Sequence, residues 1–326
     1  VVAYSVVRRA WDHARARNDY DRSLEELVDA LPSIPSPTLR QTFYPRLVAL
    51  LEESTHPRLR DRAIRGISRI PGREAQAFVL LSALIRENRN AAVAMASIRT
   101  IDSTYWQSES LESLAEDVQK FVRHAAEEQR ATAPLLEATA LALELADRLP
   151  ANHAARLRQA MRELGPSTLL IKTIPHQMLY DRNRIVVEAG SQATILFENN
   201  DAMPHNLVIA ARGALERTGR AAEAMAADSD ARVKVFVPES DDVLWSTRLL
   251  MPGESQQLQI TAPREPGVYP YVCTYPGHWR RMFGAMVVVE QFSSYDRDPG
   301  GVLATMAATA EDQLLQYALG HDDRPT

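Results

Sequence analysis

The chain has 326 residues, 45% of them hydrophobic and 24% charged, with a net charge of −5, which is enough chain for about two domains with sizeable cores. A balance this close to neutral argues against a nucleic-acid-binding protein, which normally carries a basic excess, and no run of about 18 apolar residues is present to cross a membrane as a helix. There is one cysteine, Cys273, so no internal disulfide can form, and a c-type haem, which needs two cysteines and a following histidine, cannot be attached. The chain opens Val1-Val2-Ala3-Tyr4 with neither an initiator Met nor a signal peptide, and is expected to be a processed or excised piece.

Residues 1 to about 164 read as helices. Leu24, Leu27, Val28 and Leu31 fall at helical spacing, as do Leu47, Leu50 and Leu51. Pro57, Pro71 and Pro134 stand where helices should start or stop. The segment from Pro57 to Ile67 looks like the second helix of a HEAT-type repeat, and Asn90 to Ile98 partly echoes it. Two readings stay open: an α-solenoid of paired helices, each burying its apolar stripe on the next, or an irregular helical bundle.

The pattern changes near Gly165-Pro166. Thr168–Ile174, Arg184–Glu188, Ala193–Asn199, His205–Ala210, Gln256–Thr261, Gly267–Cys273 and Gly284–Glu290 read as short strands separated by turn residues, which argues for a β-sandwich. Gly213–Ala227, rich in Ala and Glu, reads as a helix inserted between strands. After Gln291 the chain turns polar over Ser293–Gly301, then Val302–Leu319 reads as a helix; together these are expected to be a linker and an extending helix.

The strongest chemical signal is Cys273-Thr274-Tyr275-Pro276-Gly277-His278-Trp279-Arg280-Arg281-Met282, on one loop between two strands, with Met203-Pro204-His205-Asn206 well upstream. Two imidazoles and a thiolate in a trigonal plane, with a weak axial thioether, make the blue-copper electron-transfer site, and the sequence supplies each residue type in a short, closed frame. Zinc fits this set poorly, because a methionine thioether is not a usual zinc ligand. His13, His56, His124, His153, His176 and His321 have no such company.

Cys-x4-His-x3-Met, with His-Asn upstream, resembles the azurin branch of the cupredoxins, over residues 167–291 or so. The resemblance implies that His205 and His278 are imidazole ligands of one type 1 copper, Cys273 the thiolate and Met282 the distant axial ligand. It implies that Asn206, with Thr274, braces the Cys273 loop. Pro204 stands where azurins have glycine, whose carbonyl lies near copper; proline keeps a carbonyl but restricts the backbone. Met178 and Met203, with Tyr275, look like the apolar surface around the exposed ligand histidine, the alternative being plain core. Trp279, Arg280 and Arg281 form either a cationic and aromatic docking face or, on the other reading, a tryptophan packed on the helical domain beside solvated arginines.

The expected architecture is multidomain: an all-α, HEAT-like domain over 1–165, an all-β Greek-key cupredoxin sandwich with an inserted helix over 166–291, and a linker and C-terminal helix over 292–326. Cys273 is flanked by Val272 and Thr274 rather than histidines, and no His-x-His pair occurs, which argues against a multicopper oxidase or nitrite reductase. The expected function is one-electron relay rather than catalysis. The domain order also resembles the middle of large exported bacterial redox enzymes, which implies a cytochrome c partner or domain and a periplasmic or exported location. The competing readings are a helical-repeat scaffold with a structural cupredoxin domain, and copper storage.

Overall fold

The computed structural model describes residues 2–16, 20–125, 132–163, 168–226, 236–312 and 315–319. The chain divides into two compact units, Val1–Leu164 and Gly165–Thr326.

The first unit is helical: α1 (Val2–Ala16), α2 (Tyr20–Ala30), α3 (Pro37–Gln41), α4 (Tyr44–Glu53), α5 (Pro57–Ile67), α6 (Glu74–Arg86), α7 (Ala91–Ile98), α8 (Leu111–Arg123), α9 (Ala133–Ala146) and α10 (Ala151–Arg162). Prolines open α4, α5 and α9, where a missing N–H costs nothing. In α8 the residues Leu111, Leu114, Ala115, Val118 and Val122 form one buried stripe. In contrast α9 is buried nearly all round, at Leu135, Leu136, Ala138, Leu141, Ala142 and Leu145. Successive helices pack together, α4 on α5, α6 on α7 and α8 on α9, and alternate helices pack too, α5 on α7 and α7 on α9. The result is one continuous apolar core running from Val7 to Met161.

The second unit is a sandwich of two mixed sheets. Its strands are β1 (Thr168–Ile174), β2 (Leu179–Tyr180), β3 (Arg184–Glu188), β4 (Gln192–Glu198), β5 (Val208–Ala210), β6 (Val243–Ser246), β7 (Ser255–Thr261), β8 (Gly267–Val272) and β9 (Phe283–Val289). One sheet has the order β2-β1-β4-β7 and the other β3-β9-β8-β5-β6. The pairs β1/β4 and β3/β9 are parallel; the other ladders are antiparallel. The inserted helix is α11 (Leu215–Met225). The core between the sheets includes Ile171, Tyr180, Phe197, Ile209, Tyr271, Met286 and Val288, and reaches Cys273 and Met282 at one end.

Residues 292–319 correct the expectation of a linker and an extending helix. The chain folds back as α12 (Phe292–Arg297), α13 (Pro299–Thr309) and α14 (Gln316–Leu319), with α13 against β8 and α14 against β9. Tyr295, Leu303, Leu315, Ala318 and Leu319 form a second core with Val208, Val268, Val272, Ala285, Val287 and Val289 on the outer face of the five-stranded sheet. Burying those apolar side chains on the sheet is favourable by roughly 25 cal/mol per Å², which is why the segment packs instead of extending. Residues 320–326 lie outside the described residues.

Candidate metal centre

The residues singled out at Cys273–Met282 and at His205 meet at one end of the sandwich. Cys273 follows β8, and its N–H bonds the Met282 carbonyl (3.0 Å) just ahead of β9, so the loop is closed by the ladder itself. Inside the loop the His278 N–H bonds the Tyr275 carbonyl (3.0 Å) and the Met282 N–H bonds the His278 carbonyl (2.8 Å). Gly277 takes a left-handed φ of 84° that starts the short 3-10 turn His278–Arg280. His205 is bridged to Leu250 by two backbone bonds, 3.1 and 2.8 Å, ahead of β5.

Three buried donor atoms converge. Sγ of Cys273 lies 3.6 Å from Nδ1 of His205 and 3.6 Å from Nδ1 of His278, and the two nitrogens are 3.2 Å apart. The circle through these atoms has a radius of about 2.0 Å, close to the roughly 2.0–2.3 Å bonds that nitrogen and sulfur ligands make to such metal ions. Among the described residues this is the group of His, Cys and carboxylate side chains gathered closely enough to hold a metal. Met282, fully buried, belongs to the same inner core as Cys273.

The site is electrically quiet without a cation. Burial pushes the Cys273 thiol up to about 12, opposed by the N–H groups of Asn206 and Tyr275, which favour the thiolate. Burial, and then the nearness of His205, lower His278 to about 4. Burial also lowers His205, against the pull of Asp201. Neutral imidazoles keep free lone pairs, and a bound cation would supply the charge that makes the thiolate favourable.

The supporting bonds divide into those expected and those sequence reasoning missed. Asn206 bonds Thr274 twice: its Oδ1 accepts the Thr274 N–H (2.8 Å) and its Nδ2 donates to Thr274 Oγ1 (2.8 Å). Tyr180 adds a hydroxyl bond to the Asn206 carbonyl (2.7 Å). Asp201 was missed. Its Oδ2 lies 3.1 Å from His205 Nε2, so the ring proton sits there and Nδ1 faces the site with its lone pair. Its other oxygen accepts the N–H groups of His176 (2.9 Å) and Ala202 (2.7 Å). Asn199, also missed, donates to the carbonyls of Met203 (2.8 Å) and Leu250 (2.9 Å) and accepts from the Asp201 N–H (3.0 Å). The sequence signal for both was the run Asn199-Asn200-Asp201 at a strand end, a pattern that usually marks only a turn.

The surrounding surface differs from expectation in part. Met178 and Met203 are 38% and 40% exposed, which removes the plain-core reading for them, and Met251, 53% exposed, joins them on a loop tied to the same Asn199. His176 presents an exposed ring. Tyr275 is half-buried, its ring 4.8 Å from that of His278 and 5.4 Å from that of Phe236. Pro204 is half-buried between Met203 and His205. Trp279 corrects both expectations for it. It lies, 4% exposed, in the outer core of its own sandwich unit, because the 3-10 turn carries it away from the solvent face. Arg280 pairs with Glu223 of α11, and Arg281 is exposed.

A family model described as copper binding proteins, plastocyanin/azurin family, matches residues 168–290. Auracyanin-A of Chloroflexus aurantiacus is 31% identical over 126 residues, 38% of this chain and 75% of that protein. Auracyanin-B of the same organism is 26% identical over 121 residues, and the chain spans 50% of its length. Among solved structures, dithionite-reduced auracyanin from Roseiflexus castenholzii is 31% identical, covering 38% of this chain and 99% of that one, with a TM-score of 0.34. Auracyanin A from Chloroflexus aurantiacus, titled a "blue" copper protein, is 29% identical over 38% of this chain and 100% of that one, with a TM-score of 0.35.

Proposed function

From the premise that the chain belongs to the plastocyanin/azurin family of copper-binding proteins, we propose that His205, Cys273, His278 and Met282 hold one type 1 copper ion and that the protein transfers single electrons through it. The observation that carries this reading is the triangle of Sγ and two Nδ1 atoms, whose size suits a three-coordinate metal. When bound, copper supplies a one-electron couple between Cu(II) and Cu(I). The chain does the rest. Cys273 releases its proton on loading and offers the thiolate. Asp201 accepts a hydrogen bond from the His205 Nε2–H and so fixes which nitrogen faces the site. Asn206 and Thr274 hold the thiolate loop, with Pro204 shaping the segment before His205, and the closed β8–β9 ladder resists movement of the ligands between oxidation states. Met282 completes the set from the buried side.

The protein is read as an electron carrier rather than an enzyme in itself. Met178, Met203 and Met251, with Tyr275 against His278, form the apolar surface suited to a redox partner, for which a c-type cytochrome protein or domain is the assignment. Among the described residues no helix is long and apolar enough to cross a membrane. The family resemblance supports an exported or periplasmic location, and the order of a helical unit before a cupredoxin unit supports a place within a larger redox enzyme. The paired packing of α4/α5, α6/α7 and α8/α9 supports a HEAT-like solenoid over 1–165 beside a cupredoxin domain over 166–291.

Loaded with Cu(II), the protein is expected to turn intensely blue, to bleach with a one-electron reductant and to recover its colour on reoxidation. A colourless copper complex would end the electron-transfer reading.

A further inference from the structure

The two histidines of the site are held in different ways. The His205 ring is anchored beyond the site by Asp201 at Nε2. For His278, among the described residues, the recorded polar neighbours all lie at Nδ1, inside the site. Its ring is placed by the packing of Tyr275, 4.8 Å away, and by the backbone of the turn His278–Arg280; what, then, fixes that turn?

The answer lies on the opposite face of the sheet. Trp279, next in the turn, enters the outer core with Leu215 of α11, Val208, Val287 and Leu315. α11 receives the indole at Gly219: a Cβ added there would lie under 3.0 Å from Cβ, Cγ and Cδ2 of Trp279. Glycine inside a helix costs about 1 kcal/mol relative to alanine, so this helix gives up stability at the one place where the indole lies against its backbone. Arg280 lies over the ring, its guanidinium carbon 4.4 Å from the centroid. Both Nη atoms of Arg280 bond the Glu223 carboxylate, one turn along α11 from Gly219, with one of the bonds at 2.9 Å. Arg220 of the same helix approaches the indole at 5.9 Å. Two consecutive residues after the histidine are thus fastened to one helix, one by shape and one by a two-pronged ion pair.

We propose that α11 is a positioning element for the metal site, seating Trp279 at Gly219 and holding Arg280 at Glu223 so that His278 Nδ1 stands at its working distance from Cys273 Sγ and His205 Nδ1. This rests on the copper reading above. A three-residue turn has little slack. A Cβ at position 219 meets the Cβ of Trp279 as well as its ring, so the backbone of Trp279 must move, and His278 and Met282 are one and three residues away.

The test uses the full chain loaded with Cu(II), comparing copper affinity, the electron paramagnetic resonance spectrum and the visible band. Gly219→Ala is expected to lower copper affinity roughly 10-fold or more, in the range seen when supporting partners of metal ligands are lost, and to change the copper hyperfine splitting. Trp279→Phe, which keeps an aromatic ring in the socket, should move both less. Ala221→Ser, exposed on the same helix, should leave both unchanged. If Gly219→Ala does not fold, Trp279→Ala carries the same test, because it removes the indole without adding an atom. A variant that melts at a lower temperature but keeps the wild-type spectrum and affinity would overturn the proposal, since the indole would then only stabilise the fold. A wild-type protein that never turns blue would instead defeat the copper reading beneath it.

Discussion

The two sheets of the sandwich are written in different patterns, and the difference explains where the site stands. In the four-stranded sheet β7 reads Ser-Gln-Gln-Leu-Gln-Ile-Thr and keeps one face wet. In the five-stranded sheet β9 reads Phe-Gly-Ala-Met-Val-Val-Val, with Met286 and Val288 in the inner core and Ala285, Val287 and Val289 in the outer one. A strand covered on both faces loses its polar alternation. All four proposed ligands adjoin strands of that doubly covered sheet: His205 ahead of β5, Cys273 after β8, and His278 and Met282 ahead of β9. The wetter sheet contributes the polar clasp after β4, Asn199 and Asp201. The doubly packed sheet fixes where the proposed ligands stand, and the other sheet orients the ring of His205.

Substitutions on each side can break or sharpen this contrast. Met286→Ala opens a cavity in the inner core and should destabilise the sandwich unit by about 3 kcal/mol in chemical denaturation. Asn199→Ala removes bonds to the Met203 and Leu250 carbonyls, the Asp201 N–H and the Thr173 hydroxyl, at an expected cost of about 2 kcal/mol; a cost near zero would mean that the clasp contributes nothing. Val287→Ala should cost about 1.5 kcal/mol if the outer face is a true core, and close to nothing if α12–α14 leave it open to water. Gln257→Ala, on the wet face of β7, should change stability by less than about 0.5 kcal/mol.

How much of this was legible follows from how local each signal is. The candidate cluster was readable because Cys273, His278 and Met282 fall within ten residues and each brings a distinct chemistry. The strand β1 and the inserted helix were readable from period and punctuation, whereas β2 and β6 are too short to show a period. The unbroken apolar run Ala285–Val289 fits a strand covered on both faces, but nothing in it names residues 292–319 as the cover, which is why that segment read as a linker and an extending helix. Gly219, alone inside a helical pattern, signalled a close packing partner, but nothing in the sequence named Trp279 as that partner. Asp201 and Asn199 could not be told from ordinary turn residues, since their roles come from strands far apart in the chain.

In the proposed site the Cys273 thiolate, set between two imidazoles, is a ligand of a blue copper. The most direct test is the visible absorption spectrum of Cys273→Ser beside the wild type, each loaded with Cu(II). The account predicts an intense blue band in the wild type and its complete loss in the variant. A blue band that survives in Cys273→Ser would contradict it.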